Sequence, residues 1–174
     1  MVSKEGLMNT AELLADGFGR VREEVHAAVR GLSGEQLALR LDGRANSIGW
    51  LVWHLTRVQD DHVADVAGAE QAWTAGGWYE RFGLALPAAS TGYGHTSAEV
   101  DQVRVDSPEL LTGYYDAVHE HTMRFVSAVR DADLDRIVDE RWNPPVTLGV
   151  RLVSVLSDDF EHVGQAAFVR GLVA

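Results

Sequence analysis

Asp158 and His162 stand four residues apart in "SVLSDDFEHVGQAAF" (154–168), a segment that otherwise alternates as an apolar helix. Four residues is one turn of a helix, so the two side chains share a face about 6 Å apart along the axis. A carboxylate and an imidazole in that relation can grip one divalent ion. Their neighbours Asp159 and Glu161 flank this line and are expected to face solvent or to hydrogen-bond a ligand. A third donor must come from another helix, and "WLVWHLTRVQDDH" offers His54 among Trp50, Leu51, Val52, Trp53 and Leu55. A histidine so surrounded is buried and needs a partner. From the residues alone two readings stay open: His54 ligates a metal, or it is a core histidine bonded to a carbonyl or carboxylate.

The other histidines carry less. His119 and His121 diverge by about 200° around a helix and cannot share an ion. His26 lies in a polar stretch and is expected at the surface; His62 follows two aspartates, of which Asp61 falls on roughly the face of His54. His95, in "TGYGHT", is a candidate pocket residue. With no cysteine in the chain there is no thiolate ligand, no cysteine nucleophile and no disulfide, so packing holds the fold and nitrogen and oxygen must hold any metal.

These residues need rigid elements to position them, and apolar spacing of three and four predicts four long helices. The first runs from about Asn9 to Gly31, with Leu14, Phe18, Val21, Val25 and Val29 on one face. "GLSGEQL" then reads as a turn. The second starts at Asn46 or Ser47, either of which can cap its first turn, and continues to about Gly68. The third opens at "DSPELL", with Ser107 as cap and Pro108 in the first turn, and ends near Val129. The fourth spans about Thr147 to Gly171. Between the second and third, residues 70–106 form a long crossover rich in aromatics and glycine, of a length that usually serves function. The link "DADLDRIVDERWNPPVT" reads as irregular. The expected architecture is an all-α four-helix bundle with one long crossover, in a single domain over residues 1–174.

Charge and hydropathy exclude several classes. A formal charge of −11 disfavours nucleic acid and anionic membrane surfaces. No window approaches the ~18 uncharged apolar residues of a membrane span, and the start of the chain lacks a signal-peptide core, so a cytoplasmic protein is expected.

"NSIGWLVWHLTRVQDDHV" and "VTLGVRLVSVLSDDFEHVGQAAFVRGL" resemble the second and fourth helices of the DinB-like superfamily, and within it the mycothiol-dependent branch. "GWYERFGL", "TGYGHT" and "DSPELLTGYYDAV" are similar to that branch as well, so the likeness covers nearly the whole chain. It implies a metal held by His54, Asp158 and His162. Many relatives have histidine where Asp158 stands, and mycothiol-dependent maleylpyruvate isomerase has glutamate. That isomerase also carries a further C-terminal domain, so its activity is not expected here. The resemblance is therefore to mycothiol S-transferases, which conjugate a small-molecule thiol to electrophiles in detoxification. It implies zinc as the first choice of metal, with nickel, manganese or iron(II) as alternatives, and mycothiol as cosubstrate. Arg81 is the expected contact for an anion or sugar, with Trp50, Trp78, Tyr93 and His95 as candidate pocket walls. A homodimer is the expected assembly. The competing expectations are a hydrolase using metal-bound hydroxide and a non-catalytic metal-binding stress-response bundle.

Overall fold

The structure, a computed structural model, describes residues 8–174. Helix α1 (Thr10–Val29) begins where Asn9 and Glu12 satisfy each other's backbone amides in a reciprocal cap. A short α2 (Gly34–Ala38), capped by Ser33, occupies the segment expected to be a turn. Helix α3 (Ile48–Ala67) takes Ser47 as its cap and stops at Gly68, whose φ of 64° closes the C-terminus in the left-handed region. The crossover holds three short helices, α4 (Ala72–Ala75), α5 (Trp78–Phe82) and α6 (Ser97–Val100). Helix α7 (Pro108–Val126) starts at Ser107 as expected, although that side chain makes no capping bond. Helix α8 (Leu148–Val173) follows Thr147, whose hydroxyl receives the Val150 amide.

The link before α8 departs from the expectation of irregular chain. It contains β1 (Ile137–Asp139) and β2 (Val146–Thr147), an antiparallel pair. Strands of three and two residues are too short to show a period, so no alternating pattern marks them.

The four long helices pack in a ring, α1 against α7 and α8, and α3 against α7 and α8, with α1 and α3 across the diagonal. This is the all-α bundle with a long crossover that the periodicity predicts. One core cluster centres on Trp53, Trp73, Tyr114 and Tyr115; a second fills the other end with Phe18, Val126, Leu148 and Leu152.

The crossover is fastened to α3 by two charged residues buried in it. Asp60 receives the amides of Ala72 and Trp73 at 2.9 and 2.8 Å and the Tyr114 hydroxyl at 2.8 Å. Arg57, fully buried, donates to the Ser90 carbonyl and to Gln71, and its guanidinium lies 5.1 Å from the Trp73 ring centroid. A buried cation survives only when its donors are matched, and here the matched acceptors belong to the crossover.

Candidate metal centre

His54 projects from α3 with only 5% of its surface exposed. Trp50, one turn earlier, stacks on the imidazole at 4.5 Å between centroids and 19° between planes. On the other side the crossover delivers the Thr91 carbonyl, 2.5 Å from Nδ1. A carbonyl only accepts, so Nδ1 carries the proton and Nε2 keeps its lone pair. Gly92 makes this approach possible. Its φ is +95°, and a Cβ there would stand 2.6 Å from His54 Nδ1 and 3.1 Å from both Trp50 and Trp53. Burial holds the His54 pKa below its ordinary value against the opposing bond to Thr91, so the ring is neutral at pH 7.

From α8, His162 Nδ1 donates to the backbone carbonyl of Asp158 at 2.8 Å, which again leaves Nε2 free. Asp158 Oδ2 lies 3.4 Å from the same Nδ1, but the ring hydrogen is spent on the carbonyl. That oxygen is buried with no hydrogen-bond partner. Burial opposes the charged form of His162, yet the Asp158 carboxylate and carbonyl outweigh it and raise the pKa.

The structure brings His54, Asp158 and His162 together: each offers one donor atom, and the three atoms lie within 4.8 Å of one another. The His54 and His162 rings meet edge to face at 4.6 Å. Donors sharing one zinc-sized ion at 2.0–2.2 Å stand about 3–4.4 Å apart. Two imidazoles and a carboxylate with donor atoms close to that spacing fit a divalent ion. The set is of the nitrogen and oxygen type that suits zinc and its first-row neighbours.

The remaining candidates divide. Trp50 donates from Nε1 to His95 Nδ1 at 3.2 Å, Ser90 Oγ meets His95 Nε2 at 2.8 Å, and His95 stacks on Trp53 at 5.8 Å. Trp50 and His95 thus form a wall beside His54. Tyr93 does not join it, being 92% exposed. Arg81 lies over Trp78 at 4.5 Å on α5, which packs on α7, whereas the triad lies between α3 and α8. Trp78 itself packs on Tyr114.

The largest departure is Asp159. Expected to face solvent or a ligand, it is fully buried, and neither carboxylate oxygen has a partner among the described residues. Helix α8 is covered by α3 on one side and α1 on the other, so the middle of its buried arc falls on Leu152, Val155, Asp159 and Ala166. Asp158 and His162 occupy the edge of that arc, where a small molecule can reach them. Burial, with the nearby Asp158 charge adding to it, pushes the Asp159 pKa well above the carboxylate range.

Sequence reasoning missed the supports of the site. Thr91 contributes a backbone carbonyl, which no side-chain pattern marks; the two glycines of "TGYGHT" were the available signal for a loop passing close to other atoms. His62 is half-buried against Arg151, whose Nη1 lies 2.8 Å from Nδ1. Arg151 in turn donates to Asp139, which also holds Arg141.

The protein is thus a four-helix bundle in which two histidines and one carboxylate converge from adjacent helices. The family model for mycothiol-S-transferase matches residues 13–174, and the chain belongs to that family. The crystal structure of a conserved protein from Enterococcus faecalis is similar throughout, with a TM-score of 0.87, 29% identity, and coverage of 96% of this chain and 98% of that one. No curated protein matches the sequence significantly.

Proposed function

We propose that the protein is a metal-dependent S-transferase that joins mycothiol to electrophilic small molecules. The observation that carries this reading is the convergence of His54, Asp158 and His162, one donor atom from each lying within 4.8 Å of the others, in a member of the mycothiol-S-transferase family. His54, Asp158 and His162 would hold the ion, with zinc the first candidate. A divalent ion there lowers the pKa of a thiol bound to it, so that the sulfur reacts as thiolate at neutral pH.

The chain's own residues supply orientation. Thr91 and the Asp158 carbonyl fix the tautomer and ring plane of the two histidines, as outer hydrogen bonds commonly do in metal sites. Trp50 covers one face of His54 and keeps water from it. The thiol proton passes to solvent. The sulfur electron pair forms the new S–C bond, and the leaving group departs with the pair of the broken bond. A cysteine-free chain has no thiol of its own to compete for the electrophile.

The test is consumption of a thiol-reactive fluorogenic electrophile by zinc-loaded protein with mycothiol, with glutathione, and with no thiol. Conjugate formed only with mycothiol supports the transferase. Equal loss of electrophile without any thiol would make the protein a hydrolase instead.

A further inference from the structure

The triad sits partway along the groove between α3 and α8, which run antiparallel: His62, eight residues after His54, meets Arg151, seven residues before Asp158. The groove differs on its two sides. Toward the N-terminus of α3 lies a cleft of about 570 Å³ whose walls include Leu41, Leu51, Phe168 and Val169, with Arg44 and Gln165 at its edge. In the opposite direction lies a cleft of about 340 Å³ lined by Asp61, His62, Asp65, Gln71, Arg141 and Arg151.

The second cleft mixes donors and acceptors without strong charge of either sign. Asp139, nearly buried, accepts from both Arg141 and Arg151 and so offsets part of their charge. Arg151 Nη1 cannot accept a hydrogen bond and lies 2.8 Å from His62 Nδ1 and 3.3 Å from Nε2, so it donates to the imidazole. Asp61 Oδ1 accepts from Gln71 at 2.8 Å and Asp65 is exposed, which leaves further carboxylate oxygens in the cleft. A free anion would meet two aspartates there, and a free cation two guanidinium groups. Hydroxyl groups, each a donor and an acceptor at once, suit both kinds of partner.

The geometry points to this cleft as the binding site for an uncharged, hydroxyl-rich portion of the thiol cosubstrate. The inference rests on the transferase reading. Asp61 and Arg151 each lie seven residues from a triad member, so about 10 Å separates the reactive sulfur's place from the cleft. That span accommodates a thiol whose polyhydroxylated head lies along the groove between Val58 and Ser154, away from the apolar cleft. Val58 is half-buried and Ser154 exposed, so the path is open to solvent.

Binding and turnover test the two readings separately. N-acetylglucosaminyl-inositol, a sulfur-free analogue of mycothiol in which acetyl replaces the cysteinyl group, titrated into zinc-loaded protein should shift the backbone amide resonances of Asp61, His62, Asp65 and Arg151. Shifts confined to Leu51, Gln165 and Phe168, or none at any soluble concentration, would overturn the assignment whether or not the protein is a transferase. In turnover, Asp61→Ala/Asp65→Ala should raise the mycothiol KM about tenfold, the loss of one or two hydrogen bonds to charged groups. The KM for the electrophile should stay as in wild type; equal rises in both would refute a thiol-specific subsite. Absence of conjugate with the wild-type protein would refute the transferase and leave the resonance shifts to decide the cleft.

Discussion

Gly92 and Asp159 show how single residues set the site without touching a substrate. A methyl group at position 92 would collide with His54 Nδ1 at 2.6 Å, so Gly92→Ala must displace either the imidazole or the Thr91 carbonyl. Loss of such an outer hydrogen bond typically lowers metal affinity 10–100-fold, and zinc titration of the variant should show a loss of about that size. Asp159 acts on stability. Its folded pKa lies above its unfolded value, so the folded protein binds more protons and loses stability as pH rises from about 4 until the group ionises in place. Asp159→Asn removes that titration. Urea midpoints across the range should fall less steeply with pH than in wild type, and the variant should be the more stable of the two above neutrality. The triad was legible from residue type and from spacing within α8, with the family resemblance supplying the pairing with His54. The burial of Asp159 was not legible, because it depends on how far α1 and α3 together wrap α8, which one helix's spacing does not encode.

At the scale of elements, the four long helices were readable from periodicity; Ser47, one of the two expected caps of α3, does cap it, whereas Ser107 begins α7 without a capping bond. The crossover was readable only as a long irregular stretch. Its internal helices are four or five residues long, and it is held by Arg57 and Asp60, charged residues that α3 buries. Arg57→Met therefore removes the guanidinium that stands 3.7 Å from the Asp60 carboxylate and leaves the Ser90 carbonyl short of a donor in the interior. Breaking a buried ion pair from one side costs about 3–5 kcal/mol, and chemical denaturation should show a loss of that order. Because Ser90 precedes Thr91, the same variant should also weaken zinc binding, coupling the clamp to the metal centre.

For the molecule as a whole, the two core clusters draw buried apolar side chains from all four long helices. This differs from small zinc domains, in which the metal supplies the folding free energy. Chelator-treated protein should keep its helical circular dichroism, while added zinc raises the melting temperature through mass action on the folded state. The proposed chemistry requires that His54, Asp158 and His162 together hold the ion that activates the thiol. The most direct measurement is the rate of mycothiol conjugation as zinc is titrated into chelator-stripped wild-type protein and into His54→Ala. The account predicts a wild-type rate that rises with zinc and saturates near one equivalent, and a His54→Ala rate lower by about 100-fold or more at the same zinc, since a ligand matters at least as much as its outer partner. Full conjugating activity in His54→Ala, or a wild-type rate indifferent to zinc, would contradict it.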